Sequence, residues 1–167
     1  LAKAFGANVY ATAGSNKKCL AAKKLGALAC FNYKKVNFEE EIKKATNGMG
    51  VDQILDMVAG DYVERNLKCL KSDGRLIIIA VQGGVIGKIN FAKLMVNRQT
   101  ISGSTLRPQS DKAKASYVRN LKRYVWPLFE KREIKPIIQK VFNLSKASYA
   151  HKALEKGDHI GKFLLKI

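Results

Sequence analysis

A regular cadence restricts this chain more than any other feature: short β-prone runs alternate with helical stretches of about ten residues. Asn8-Val9-Tyr10-Ala11-Thr12-Ala13 is β-prone and bounded by Gly14. The polar pair Ser15-Asn16 then opens a helical stretch through Leu25 that Gly26 closes. Leu28 to Asn32 follows as a strand. Behind the cap residue Asn37, the residues Phe38, Ile42 and Ala45 share one helical face until Asn47-Gly48-Met49-Gly50 stops it. Val51 to Val58 is a buried strand, Tyr62 to Leu70 a helix with Val63, Leu67 and Leu70 inward, and Ser72-Asp73-Gly74 a turn. Arg75 to Val81 is an almost continuous apolar strand, the pattern of a parallel sheet covered by helices on both faces. Strands alternating with helices in this way predict βαβ units and an α/β fold with a doubly wound parallel sheet.

After Val81 the rhythm changes. Gln82-Gly83-Gly84 reads as a loop, Phe91 to Asn97 as a short helix and Thr100 to Gly103 as a strand. Asp111 to Arg132 is a long amphipathic helix, with Tyr117, Leu121, Val125 and Leu128 at helical spacing and Pro127 placed to kink or break it. Beyond Pro136, Ile137 to Phe142 and Lys162 to Ile167 are strands flanking a helix from Ser145 to Lys156. The opening residues Leu1 to Gly6 read as the last turns of a helix whose start is not in the chain. The expectation is that the sequence is the rear part of something longer.

Composition narrows the class. The 167 residues are 47% hydrophobic and 26% charged, enough apolar content for a folded core rather than a disordered chain. The longest apolar run, Leu76 to Val81, is too short to span a bilayer, and no basic-then-apolar leader opens the chain. Cys19, Cys30 and Cys69 lack the spacing of a zinc ribbon or disulfide framework, so free thiols in a reducing cytoplasm are expected. The abnormal quantity is charge: 31 Lys and Arg against 13 Asp and Glu give +18. The cations are spread as pairs along the chain, the pattern of a solvated surface. Loose adhesion to polyanions follows more readily than specific nucleic-acid recognition, although a basic RNA-binding protein stays open as an alternative class.

The residues that bear chemistry point to a dinucleotide. In such sheets an acid at the end of the second strand selects NAD, whereas cations and hydroxyls accept the 2′-phosphate of NADP. Thr12-Ala13-Gly14-Ser15-Asn16-Lys17-Lys18 contains no acid. Ser15 offers a hydroxyl and Lys18 a charge-assisted contact, which asks for NADPH; the alternative is that Ser15 only caps its helix and the lysines are solvated. Val81, Gln82 and Gly83 follow a strand at the carboxyl edge, where backbone groups reach a nicotinamide ring, unless the segment is a plain turn. The glycine-rich pyrophosphate turn is missing and is expected upstream of Leu1. His151 and His159 are the only histidines, and neither belongs to a hydrolase or metal motif. Hydride transfer needs no dedicated side-chain acid, because the cofactor carries the chemistry.

Several strings carry a family resemblance: Leu1-Ala2-Lys3-Ala4-Phe5-Gly6-Ala7, Ala11-Thr12-Ala13-Gly14-Ser15, Lys24-Leu25-Gly26-Ala27, Phe31-Asn32-Tyr33, Gly50-Val51-Asp52 and Ile54-Leu55-Asp56. Together with Gly83-Gly84, Ser104-Thr105-Leu106-Arg107 and His159-Ile160-Gly161-Lys162, they make the chain resemble the NADPH-dependent quinone oxidoreductases of the zinc-free medium-chain dehydrogenase/reductase superfamily. Within it the match is to the p53-inducible quinone oxidoreductase group related to zeta-crystallin. The resemblance implies a Rossmann-type sheet lacking its first strand, with residues 1–136 as an incomplete NADP(H)-binding domain. Residues 137–167 would be a segment returning to a GroES-like catalytic domain. It implies 2′-phosphate contacts from Ser15 and Lys18, an aromatic beside the adenosine from Tyr33, and a nicotinamide segment at Val81, Gln82 and Gly83. Leu106 and Arg107 would line the cleft, and His159 would contact cofactor. The implied activity is hydride transfer from NADPH to a quinone or enone by a homodimer without metal. An enoyl reductase and a zinc-type alcohol dehydrogenase are the alternatives. Alone, this length of chain is expected to be inactive and to expose apolar edges.

Overall fold

Residues 1–167 are all described by the computed structural model. A 3₁₀ turn, Lys3–Phe5, ends at Gly6 with φ of 84° and leads into β1 (Tyr10–Ala13). There follow α1 (Asn16–Lys24), β2 (Ala29–Asn32), α2 (Phe38–Ala45), β3 (Val51–Asp56), α3 (Tyr62–Cys69) and β4 (Leu70–Ile78). Next come α4 (Phe91–Val96), β5 (Thr100–Gly103), α5 (Asp111–Asn120), α6 (Trp126–Glu130), β6 (Ile138–Asn143), α7 (Ala147–Glu155) and β7 (Lys162–Lys166). Local chemistry sets the helix starts. Ser15, Asn37, Asn90 and Ser110 each accept a hydrogen bond from an amide in the first turn of α1, α2, α4 and α5. In α2, Glu39, Glu40 and Glu41 lie in the first turn and Lys43 and Lys44 in the last, matching the helix dipole at both ends.

All strand pairs are parallel, as the alternation requires, but the ladder is interrupted. One piece holds β1 and β2, a second holds β3, β4 and β5 in that order, and a third holds β6 and β7. Written as β2-β1, then β3-β4-β5, the first two pieces follow the order of a dinucleotide-binding sheet with its central first strand left out. The facing edges of β1 and β3 carry no strand. Helices hold the two pieces together instead. Phe38, Ile42 and Cys69 form a buried cluster that packs Tyr10 and Phe31 from one piece and Val51 and Ile54 from the other. Tyr10 Oη also donates to the Ala45 carbonyl of α2. The main core lies under β4, where Leu76 is fully buried against Ala59, Val63, Leu67 and Leu70.

Surface area measures what the interruption costs. The chain exposes 12351 Å², whereas a compact monomer of 18.5 kDa exposes about 8,200 Å². A large share of what would be interior is therefore open, and Leu55, Met57, Ile86, Phe91 and Met95 are among the exposed apolar side chains.

Three stretches differ from the sequence expectation, each for a local reason. Ser72-Asp73-Gly74 is a bulge inside β4 rather than a turn ahead of it: the register passes from Val51–Leu70 to Gln53–Arg75. Asp73 holds a left-handed φ of 63°, its amide donates to Asn97 O, and its carboxylate takes two hydrogen bonds from Arg98. β4 stops at Ile78, not Val81, because its neighbours β3 and β5 both end opposite Ile78. The long helix is not broken at Pro127 but rewound before it, into a π segment at Leu121–Val125. Proline has no amide hydrogen to offer the preceding turn, and a wider winding absorbs the missing bond.

Candidate functional site

Parallel strands send the loops that follow them to one edge, and the expected site residues follow β1, β2, β4 and β5 there. At the end of β1, Gly14 lets Tyr33 lie close: a Cβ at this glycine would stand 2.8 Å from Tyr33 Oη. Ser15 follows at once and caps α1, its Oγ accepting from the Lys18 amide at 3.3 Å. Capping occupies an oxygen lone pair and leaves the hydroxyl hydrogen free to donate. Lys18 Nζ donates to the Gly157 carbonyl at 2.5 Å and takes part in none of the chain's ion pairs. Asn32, at the end of β2, donates to Asn16 Oδ1 at 2.7 Å and accepts from the Lys34 amide at 3.1 Å. Ser15 and Lys18 after β1 and Tyr33 after β2 thus follow neighbouring parallel strands, and Asn16 and Asn32 join the two segments. No carboxylate takes part in these contacts, so the corner favours anions.

The second part of the rim lies after β3 and β4. Asp56 ends β3 with its carboxylate buried, accepting from the Val58 amide at 2.7 Å and the Ala59 amide at 3.1 Å. Those bonds fold the chain into the left-handed pair Ala59 and Gly60, with φ of 57° and 54°. The loop after β4 runs alongside: Gln82 donates to Met57 O and Gly83 to Val58 O. The contact is backbone on backbone, since a Cβ on Gly60 would stand 2.7 Å from Gly83 O. Val81, Gln82 and Gly83 are exposed on top of this platform. Tyr62, the first residue of α3, packs edge-on against Tyr33 with centroids 6.1 Å apart. The rim therefore passes from Gly14 through Tyr33 and Tyr62 to Gly60 and Gly83.

The remaining expected residues stand apart from that rim. Leu106 and Arg107 lie exposed in the loop after β5, which begins where Ser104 donates to Ile78 O at the same carboxyl edge. His159 precedes β7 and reaches neither group directly. Its ring packs 5.1 Å from that of Phe163, and its Nδ1 is buried without a hydrogen-bond partner. The Lys18–Gly157 bond is what brings the His159 loop to the corner after β1.

Sequence reasoning missed Asn16, Asn32, Tyr62 and Gly60. Asn32 sits in the Phe31-Asn32-Tyr33 string, and the Ala59-Gly60-Asp61 break before a helix was a legible turn signal. Asp56 and Asp52 act as hydrogen-bond and ion-pair residues, Asp52 with Lys71. The donor set does not suit a zinc ion: no three His, Cys, Asp or Glu side chains are gathered, and Cys69 lies in the core.

Comparison with known proteins agrees with this architecture. Residues 1–122 match the family described as zinc-binding dehydrogenase. The chain is 30% identical to the quinone oxidoreductase of Rattus norvegicus over 166 residues, covering 99% of this chain and 49% of that one. Among solved structures, Escherichia coli quinone oxidoreductase complexed with NADPH superposes with a TM-score of 0.84 at 27% identity, over 99% of this chain and 51% of that one. An NAD-dependent alcohol dehydrogenase does so with a TM-score of 0.81 at 31% identity, over 99% and 46%. The chain spans about half the length of the curated relatives it matches. With most of its length matched and its parallel α/β architecture shared, this chain belongs to the zinc-binding dehydrogenase family, within the medium-chain dehydrogenase/reductase superfamily that its sequence resembles.

Proposed function

We propose that the chain is the NADPH-binding part of a quinone reductase that passes hydride to a quinone or related enone. The observation that carries this reading is the corner after β1, where Gly14 lies against the Tyr33 hydroxyl, Ser15 caps α1 and the Lys18 ammonium is free of any carboxylate. These groups fit a 2′-phosphate: an alcohol donor, a cation and helix-terminal amides, with no acid to repel it. The Tyr33 ring would cover the adenosine end, Val81, Gln82 and Gly83 would border the nicotinamide, and Leu106, Arg107 and His159 would line the cleft. Bound there, reduced nicotinamide supplies the hydride. The platform of Asp56, Gly60 and Gly83 keeps the rim fixed, so this chain's part is orientation rather than acid–base work.

In this reading residues 1–136 form the cofactor domain and residues 137–167 return to a catalytic domain. The unfilled space between β1 and β3 receives a strand that ends in a glycine-rich turn, and the excess exposed surface is covered by the domain that completes the quinone pocket. The free outer edge of β5 pairs two copies into a homodimer. Free thiols suit a cytoplasmic setting, and no helix is long and apolar enough to cross a membrane. The likeness to an NAD-dependent alcohol dehydrogenase supports a second reading, with an alcohol as substrate. Titrating the full-length protein with NADPH and NADH, then assaying quinone and alcohol turnover, decides between them. Tighter NADPH binding with quinone reduction is the expected result; NADH preference with alcohol oxidation would replace the first reading by the second.

A further inference from the structure

Two of the three cysteines meet in the fold although eleven positions separate them in sequence. Cys19 is on the inward face of α1 and Cys30 lies within β2, against which α1 packs; both are buried. They line one open cavity of about 300 Å³ with Asn16, Leu20, Lys23 and Asn32. Both are free thiols, not joined in a disulfide. Cys69 is elsewhere, 3% exposed in the cluster with Phe38 and Ile42.

We infer that Cys19 and Cys30 form a modification site, a dithiol that a small hydroperoxide converts to a disulfide fastening α1 to β2. The inference does not depend on which nucleotide or acceptor the protein uses. In the first step Cys19 sulfur attacks one oxygen of hydrogen peroxide. The O–O bond breaks, and the products are Cys19 sulfenic acid and water. In the second, Cys30 sulfur attacks Cys19 sulfur, the S–O bond breaks, and the departing hydroxide leaves with the Cys30 proton as a second water. Overall the two thiols give up two hydrogens and two electrons, and the peroxide is reduced to water.

The setting assigns the roles. Burial, reinforced by the neighbouring Cys19 thiol, pushes the Cys30 thiol up to about 12, against the pull of the Lys23 cation. Such a group is a poor first nucleophile, and it lines the same cavity as the sulfur it must attack. The cavity admits a molecule of peroxide size. Cys69 has no thiol neighbour, and burial followed by the charge of Glu39 pushes it up to about 12 as well, so it serves as an internal control.

The test treats the reduced full-length protein with hydrogen peroxide, quenches it, alkylates the remaining thiols after unfolding and maps the peptides by mass spectrometry. Cys19 and Cys30 should disappear together into one linked peptide, at a rate about tenfold or more above that of Cys69, and dithiothreitol should restore both. Cys69→Ser should leave the link intact, whereas Cys30→Ser should halt Cys19 at a sulfenic acid that dimedone traps. Should Cys30→Ser not fold, the map of the unsubstituted protein still decides. Loss of Cys69 at the same rate, a link between two chains, or thiols that persist until the protein unfolds would overturn the inference.

Discussion

Lys18 Nζ donates to the carbonyl oxygen of Gly157 at 2.5 Å, joining the first turn of α1 to the loop ahead of β7. The cation proposed for the 2′-phosphate is thus held at the rim by a neutral acceptor. Replacing it with an uncharged side chain, Lys18→Met, removes a charge-assisted hydrogen bond worth about 1.5–3 kcal/mol. In the full-length protein NADPH affinity should fall about 10- to 100-fold while NADH affinity stays nearly constant. Fluorescence titration with both nucleotides measures it, and an unchanged preference would remove Lys18 from the site.

Asp56→Ala should destabilise strongly. The carboxylate is buried and satisfies two amides that turn the chain into a left-handed pair. Removing it strands those donors, at about 1–3 kcal/mol for each unsatisfied group. Denaturant midpoints compared with Asp56→Asn give the check: the amide keeps one acceptor oxygen, so the asparagine variant should lie between wild type and alanine.

Gly60 and Gly48 separate two effects that usually travel together. Both have left-handed φ values, 54° and 82°, but only Gly60 faces a neighbour, Gly83 O, while Gly48 has open space. Gly48→Ala should therefore cost only the backbone strain, about 1 kcal/mol. Gly60→Ala should cost more than this and weaken nucleotide binding as well, because the Val81 to Gly87 loop must move. Equal losses of stability with unaltered binding would show that the close approach is irrelevant.

The acid limb of stability should carry the mark of the β4 bulge. The hydrogen bond from Arg98, then its charge, holds the Asp73 carboxyl below its ordinary value of 3.8. A lowered folded pKa contributes stability above the ordinary carboxylate range, and that contribution is lost as pH falls through the lowered value. Asp73→Asn tolerates the same left-handed backbone. Wild type should exceed this variant at neutral pH, and the two unfolding curves should converge in strong acid. A constant gap down to the lowest pH would assign the difference to packing.

Much of this architecture was legible because periodicity and caps are local. Asn37 before Phe38 and Ile42, and Ser15 before α1, announce their helices within four residues, and Thr100 to Gly103 forms the strand its pattern suggests. What the sequence hid depends on partners distant along the chain. The Asp73 bulge is held by Arg98, and the Tyr33–Tyr62 contact crosses from one sheet piece to the next. Cys19 and Cys30 read as unrelated until α1 folds over β2. Ser15, Lys18 and Tyr33 share a corner because β1 and β2 pair in parallel, which a reader of residues can expect but not measure.

The space between β1 and β3 also governs how the molecule comes apart. With no ladder of backbone bonds across it, strand-to-strand cooperativity stops there, and the packing of α2 and α3, with the Glu39–Arg65 ion pair between them, carries strain from one side to the other. Amides of β1 and β2 should exchange with deuterium as one group and those of β3, β4 and β5 as another, slower one anchored by Leu76. A wedge that zips both edges at once would merge the two groups into a single unit of opening.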